Sequence, residues 1–138
     1  MIYLSIILAI IFFVLSIIHF NWARGGTWGF DNALPTNEKG ERVLNPRKID
    51  SLIVGLGLLV FSLFYLHLSG LIILPLIELV SKYLKWIIPS IFILRAIGDL
   101  RYVGLFKKVK NTNFGRFDTY YFTPLCFIVG ILGYLIAN

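Results

Sequence analysis

Long apolar runs alternate with shorter polar stretches along the chain. Ile2 to Phe20 is apolar almost throughout. A membrane-crossing helix needs about 20 such residues for a hydrocarbon core of about 30 Å, so this run predicts a first span. No basic residue precedes it and no small-x-small site follows, so a cleaved signal peptide is not expected. The second predicted span is Ile49 to Leu68, led by Asn45-Pro46 as N-cap and first helical residue and closed by Ser69-Gly70. Leu71 to Val80 is apolar but too short to cross, and Pro75 interrupts it. Residues 71–82 therefore read as an interfacial or re-entrant segment. A third span follows from about Tyr83 to Leu105, with a kink at Pro89. One long tilted helix from about Leu76 is the alternative. The fourth span is Thr119 to Ala137, predicted to start at Asp118 as N-cap and to bend near Pro124. The pattern predicts an all-α membrane protein: a single domain, 1–138, of four transmembrane helices.

Composition strengthens this reading. The chain is 58% hydrophobic and 14% charged, against about 25% charged in soluble domains. A soluble fold of this length could not bury so much apolar surface. The net charge is +6, from thirteen Lys and Arg against seven Asp and Glu. These cations sit mostly between the apolar runs, and no helix-turn-helix or aromatic-basic platform accompanies them, so nucleic acid is not an expected partner. Basic residues concentrate in cytoplasmic loops. The first loop has Arg24, Lys39, Arg42, Arg47 and Lys48. The third has Lys107, Lys108, Lys110 and Arg116, with Arg101 at its edge. The second has only Lys82 and Lys85. The expected topology is N-out/C-out. The first loop divides into an aromatic, glycine-rich half, Asn21 to Phe30, and a polar half, Pro35 to Lys48, with a small hairpin expected at Glu38-Lys39-Gly40-Glu41.

Few residues in the spans carry chemistry. Cys126 is the only cysteine, which excludes a CxxC redox pair. His19 and His67 fall at opposite ends of their spans, too far apart to ligate one metal or haem, so neither metal nor cofactor is expected. A charge inside a span costs about 2.5–3.5 kcal/mol on insertion scales and faces protein or water. Arg95 and Asp99, at helical spacing with Tyr102 beyond them, read as one helix face. Two readings stand open there: an ion pair that fixes helix packing, or a pocket wall in which Arg95 holds an anionic group and Asp99 orients it. Arg101 points elsewhere and snorkels to the headgroups. His19 is an interfacial histidine, or a proton shuttle or headgroup ligand; Trp22 shares its face. Asp118 is a cap, or with Arg116, Tyr120 and Tyr121 lines a cytoplasmic vestibule. Arg24 beside Gly25-Gly26 is a weak signal for an anion nest, and Trp28 suits the interface. His19, Trp22, Arg24, Trp28, Arg95, Asp99, Arg101, Arg116, Asp118 and Tyr121 all map to the cytoplasmic half or its border, whereas His67 lies at the outer end.

Three segments also carry a resemblance. They are His19-Phe20-Asn21-Trp22-Ala23-Arg24-Gly25-Gly26-Thr27-Trp28-Gly29 with Ala33-Leu34-Pro35, then Leu94-Arg95-Ala96-Ile97-Gly98-Asp99-Leu100-Arg101-Tyr102-Val103-Gly104, then Asp118-Thr119-Tyr120-Tyr121 with Pro124-Leu125-Cys126. Together they resemble a family of small bacterial four-span membrane proteins known only as a domain of unknown function. The resemblance implies a multi-pass protein of the bacterial cytoplasmic membrane and brings no activity. The expected function is binding or transport of an anionic small molecule or lipid headgroup through a cytoplasm-facing pocket, with dimerisation expected if the chain transports. Alternatives are a membrane enzyme acting on a lipid, against which stands the lack of any nucleophile-base or metal-ligand motif, and an accessory subunit whose polar cluster only locks helix packing.

Overall fold

In α1, Ile2–Ala23, the side chains are apolar around nearly the whole circumference. A helix of that kind has no face suited to water and is surrounded by protein or lipid. Its inward stripe, Leu8, Ala9 and Phe12, is buried, while Ile7, Ile10, Phe13, Val14 and Ile17 stay exposed on the outside. A computed structural model describes residues 1–138 and shows the same division in the other long helices. After α1 come a single-turn α2, Phe30–Ala33, then α3, Lys48–Leu68, and α4, Glu78–Ile97. A short α5, Asn113–Phe117, runs through a π-helical turn, Asp118–Phe122, into α6, Thr123–Ala137. The protein is all-helical; its only β feature is an isolated antiparallel bridge between Thr36 and Arg42. That bridge closes the hairpin expected in the first loop, with the Asn37 side chain accepting from the Lys39 and Glu41 amides.

Three helical stretches are long and apolar enough to cross a membrane: Ile2–Ala23, Lys48–Leu68 and Asn113–Ala137. α4 has a similar length, 20 residues, but carries Glu78, Lys82, Lys85 and Arg95.

The long helices pack as two pairs, α1 with α3 and α4 with α6, and the pairs meet most closely through α1 and α6. Ser16 Oγ donates to the Gly55 carbonyl at 2.9 Å and Ser62 Oγ to the Ala9 carbonyl at 2.8 Å. Such hydrogen bonds between helices are worth about 0.6 kcal/mol each on average in a membrane protein. In the second pair Gly130 and Gly133 let α6 approach Ile93 and Pro89 of α4; a Cβ on Gly133 would lie 2.7 Å from that of Pro89. Phe12, Phe61, Tyr65 and Phe92 join the pairs at the centre, with Phe12 and Phe92 centroids 5.1 Å apart.

Four boundaries depart from the sequence expectation. α3 begins at Lys48 with Arg47 as N-cap, beyond Asn45-Pro46, because the Asp50 carboxylate accepts the Arg47 amide at 2.8 Å. Residues 78–82 are helical, so only Leu71 to Ile77 form an irregular connection; the alternative of a helix from about Leu76 lies closer. α4 stops at Ile97 rather than near Leu105, because Gly98 takes φ +88 and turns the chain back on itself. Asp118 is not an N-cap. Thr112 caps α5, its hydroxyl accepting from the Gly115 amide, and Asp118 lies inside a continuous helical stretch. The irregularity expected near Pro124 is the π-helical turn just before it, where the Thr123 amide reaches back to the Asp118 carbonyl.

Candidate functional site

The end of the bundle that holds the C-termini of α1 and α4 also holds nearly all the polar candidates. Asp118 is fully buried there. Its Oδ1 accepts from Arg95 Nη2 at 2.7 Å. Its Oδ2 accepts from the Gly104 amide at 2.8 Å, Lys107 Nζ at 3.0 Å and Thr123 Oγ1 at 3.1 Å. Lys107 is 3% exposed and also donates to the Gly104 carbonyl. A buried carboxylate with partners on every side is the arrangement under which its desolvation can be offset. Two cations share this one anion, so the cluster keeps one positive charge.

Of the two cations, Arg95 is the more exposed. Its side chain is about a third exposed (32%), and Nη1 is buried with no acceptor. A guanidinium presents five N–H donors, so Arg95 retains donor capacity after binding Asp118. Arg95 lines a cavity of about 600 Å³. His19, Trp22, Trp28 and Asn32 line it as well, with Leu15, Ile18, Phe117 and Phe122 on its apolar walls. His19 Nδ1 donates to the Leu15 carbonyl at 2.9 Å; with that nitrogen committed, Nε2 is the one left for a ligand. Trp22 Nε1 donates to the Trp28 carbonyl at 2.7 Å and pins the loop over the cavity. Asn113 donates to Asn32 at 2.7 Å and ties α2 to α5. Volumes of about 300–1,000 Å³ are usual for small-molecule sites.

The expected Arg95–Asp99 face is not formed. Asp99 lies beyond the end of α4, and its Oδ1 accepts the amides of Arg101, Tyr102 and Val103 at 2.7–2.9 Å. Arg95 pairs with Asp118 instead. Asp99, Arg101 and Tyr102 line a separate open groove against the Asn37–Glu41 hairpin, where Arg101 stacks over the Tyr102 ring at 5.1 Å. Arg24, Arg116 and Tyr121 are exposed and stand outside the cavity lining. Sequence reasoning missed Lys107, Gly104, Asn32 and Thr123. Lys107 entered only as a loop cation, and nothing in its neighbourhood separates it from Lys108 and Lys110.

Asp99 has a pH signature. Partial burial raises its carboxyl pKa, but the hydrogen bonds from Val103, Arg101 and Tyr102 outweigh that and hold it below the ordinary value. A folded pKa below the unfolded one adds stability that is full above about pH 3.9 and is lost as pH falls through the lower folded value. Amide exchange should therefore show protection of residues 101–103 at pH 5 that declines in more acidic solution, once the carboxylate takes up its proton. Asp99→Ala should lack that protection in both conditions.

A helical bundle with three helices of membrane-crossing length, closed at one end around a buried Arg95–Asp118–Lys107 cluster, defines the class. The chain belongs to the family described as protein of unknown function DUF3995, whose model matches residues 12–133. No curated protein and no solved structure matches it.

Proposed function

We propose that this is a four-span protein of the bacterial cytoplasmic membrane that binds an anionic ligand in the cavity beside Arg95. α4 is then the remaining span, with Glu78, Lys82 and Lys85 in its first half and Arg95 in its last turn. The basic loops, 24–47 and 98–112, support a cytoplasmic position for the cavity with both termini outside. The observation that carries the reading is the surplus charge: two cations, Arg95 and Lys107, meet the single carboxylate of Asp118, and Arg95, a third exposed, lines the cavity. An anion there would gain charge-assisted hydrogen bonds in a site of low dielectric.

The division of labour makes a clean test. Arg95→Gln leaves Asp118 paired with Lys107, so the variant should still insert and fold. A hydrogen bond to a charged group is worth about 1.5–3 kcal/mol, so its loss should weaken binding roughly tenfold to hundredfold. Binding of inorganic phosphate, and of phosphatidylglycerol in nanodiscs, would be measured on both proteins. Equal affinities would remove Arg95 as the contact. A variant that no longer folds, with Arg95→Lys restoring the fold but no binding in either form, would favour an accessory subunit with a structural cluster.

A further inference from the structure

From the shape and lining of the Arg95 cavity we infer that its ligand is an anionic membrane lipid, taken up with its headgroup on Arg95 and its chain between α1 and the α5–π segment. This rests on the reading of Arg95 as an anion contact. The cavity is much larger than one small anion needs, and seven of its eleven lining residues are hydrophobic. The polar and apolar parts are also segregated. Along α1 the lining residues Leu15, Ile18, His19 and Trp22 form one stripe. That stripe extends about 10 Å along the helix axis at 1.5 Å per residue, from the polar end into the apolar body of the span. Phe117 and Phe122 oppose it. A soluble anion would leave this apolar half unused, whereas a lipid fills both halves.

The position of the cavity also gives a lipid its route. α1 packs extensively on α3, and α4 on α6, but α1 and α6 share only a limited contact. The cavity lies where the two pairs part, and their outer surfaces are apolar. A chain can enter sideways from the bilayer without crossing water.

The tryptophans provide the test. Trp22 and Trp28 line the cavity. Trp86, the third, is on α4 about 13 Å along the axis from Arg95 by helical rise and packs on Tyr134. Trp86→Phe protein would be reconstituted in bilayers of one fixed phosphatidylglycerol and phosphatidylcholine composition, with brominated chains carried by either lipid. Bromine quenches tryptophan on contact. The expected result is at least twofold stronger quenching when the anionic lipid carries bromine, and no difference in the Arg95→Gln background. Equal quenching from both lipids, with phosphate still bound through Arg95, would overturn the lipid assignment and leave the anion site standing. Equal quenching with no phosphate binding would overturn both. The comparison between the two lipids needs no Arg95 variant, so it decides the matter even if that variant fails to fold.

Discussion

Asp118→Ala is expected to destabilise the protein by about 3–5 kcal/mol, the usual result of removing one partner from a buried ion pair. Total folding stability is only about 5–15 kcal/mol in most proteins, so the variant should melt far below the parent in mild detergent. The cost falls unevenly on the donors left behind. Arg95 is a third exposed and can recover water. Lys107 is 3% exposed and would keep only the Gly104 carbonyl. The Gly104 amide, which bonds to the carboxylate in a buried setting, would also lose its acceptor. Lys107→Met in the Asp118→Ala background should therefore restore a large part of the lost stability, and Arg95→Gln in that background much less. Thermal unfolding followed by size exclusion would measure all of these. If Asp118→Ala melts within a few degrees of the parent, the cluster does not hold this end of the bundle together.

The double-variant comparison also separates packing from function. Lys107 and Arg95 contact the same carboxylate, yet only Arg95 lines the cavity. On the proposed reading Lys107 has the structural role and Arg95 contacts the ligand. The two readings of Arg95, packing or pocket, are compatible in one side chain: Nη2 is bonded to Asp118, and the residue also lines the cavity.

Much of the fold could be read from the chain because the helices are nearly apolar from end to end. Ile2 to Phe20 and Ile49 to Leu68 are bounded by abrupt changes of polarity, and the helices there end within a few residues of those changes. The boundary at α4 was not legible. Ile97, Leu100, Val103 and Leu105 continue the apolar pattern, and the helix ends through backbone geometry at Gly98. A glycine inside an apolar run is compatible with either a helix or a stop. The error at Asp99 followed directly, since helical spacing had been carried past the end of the helix. Asp118, expected as an N-cap, is instead buried among Arg95, Lys107, the Gly104 amide and Thr123. An Asp ahead of an apolar run is the usual sign of an N-cap, and sequence spacing contains no trace of Lys107 reaching it from an irregular loop. The cavity walls were partly legible: His19 and Trp22 fall on one α1 stripe, but Asn32, Phe117 and Phe122 arrive through tertiary contacts alone.

Gly98→Ala is expected to be nearly as damaging as loss of Asp118, and it tests whether the 98–104 loop builds the cluster. Gly98 has φ +88 and ψ −168, a region essentially reserved for glycine. A Cβ there would fall 1.7 Å from the Val103 carbonyl oxygen and 2.7 Å from the Gly104 Cα. These are backbone atoms, so no side chain can swing aside. Gly104, also at φ +88, presses on Gly98 from the other side of the loop. The turn is further held by the Asp99 cap on three amides and by Leu105 donating to the Ala96 carbonyl at 2.8 Å. Strain of about 1–3 kcal/mol from the backbone and about 1–3 kcal/mol from overpacking predict a loss of about 2–6 kcal/mol. Relief requires opening the loop, which withdraws the Gly104 amide and Lys107 from Asp118. The effects of Gly98→Ala and Asp118→Ala should therefore overlap, with the double variant little worse than either single one. Gly57→Ala is the control: it lies within α3 and a Cβ there meets nothing within 4 Å, so stability should hold or rise slightly. Additive losses for Gly98 and Asp118 would mean that the loop and the carboxylate stabilise the bundle independently.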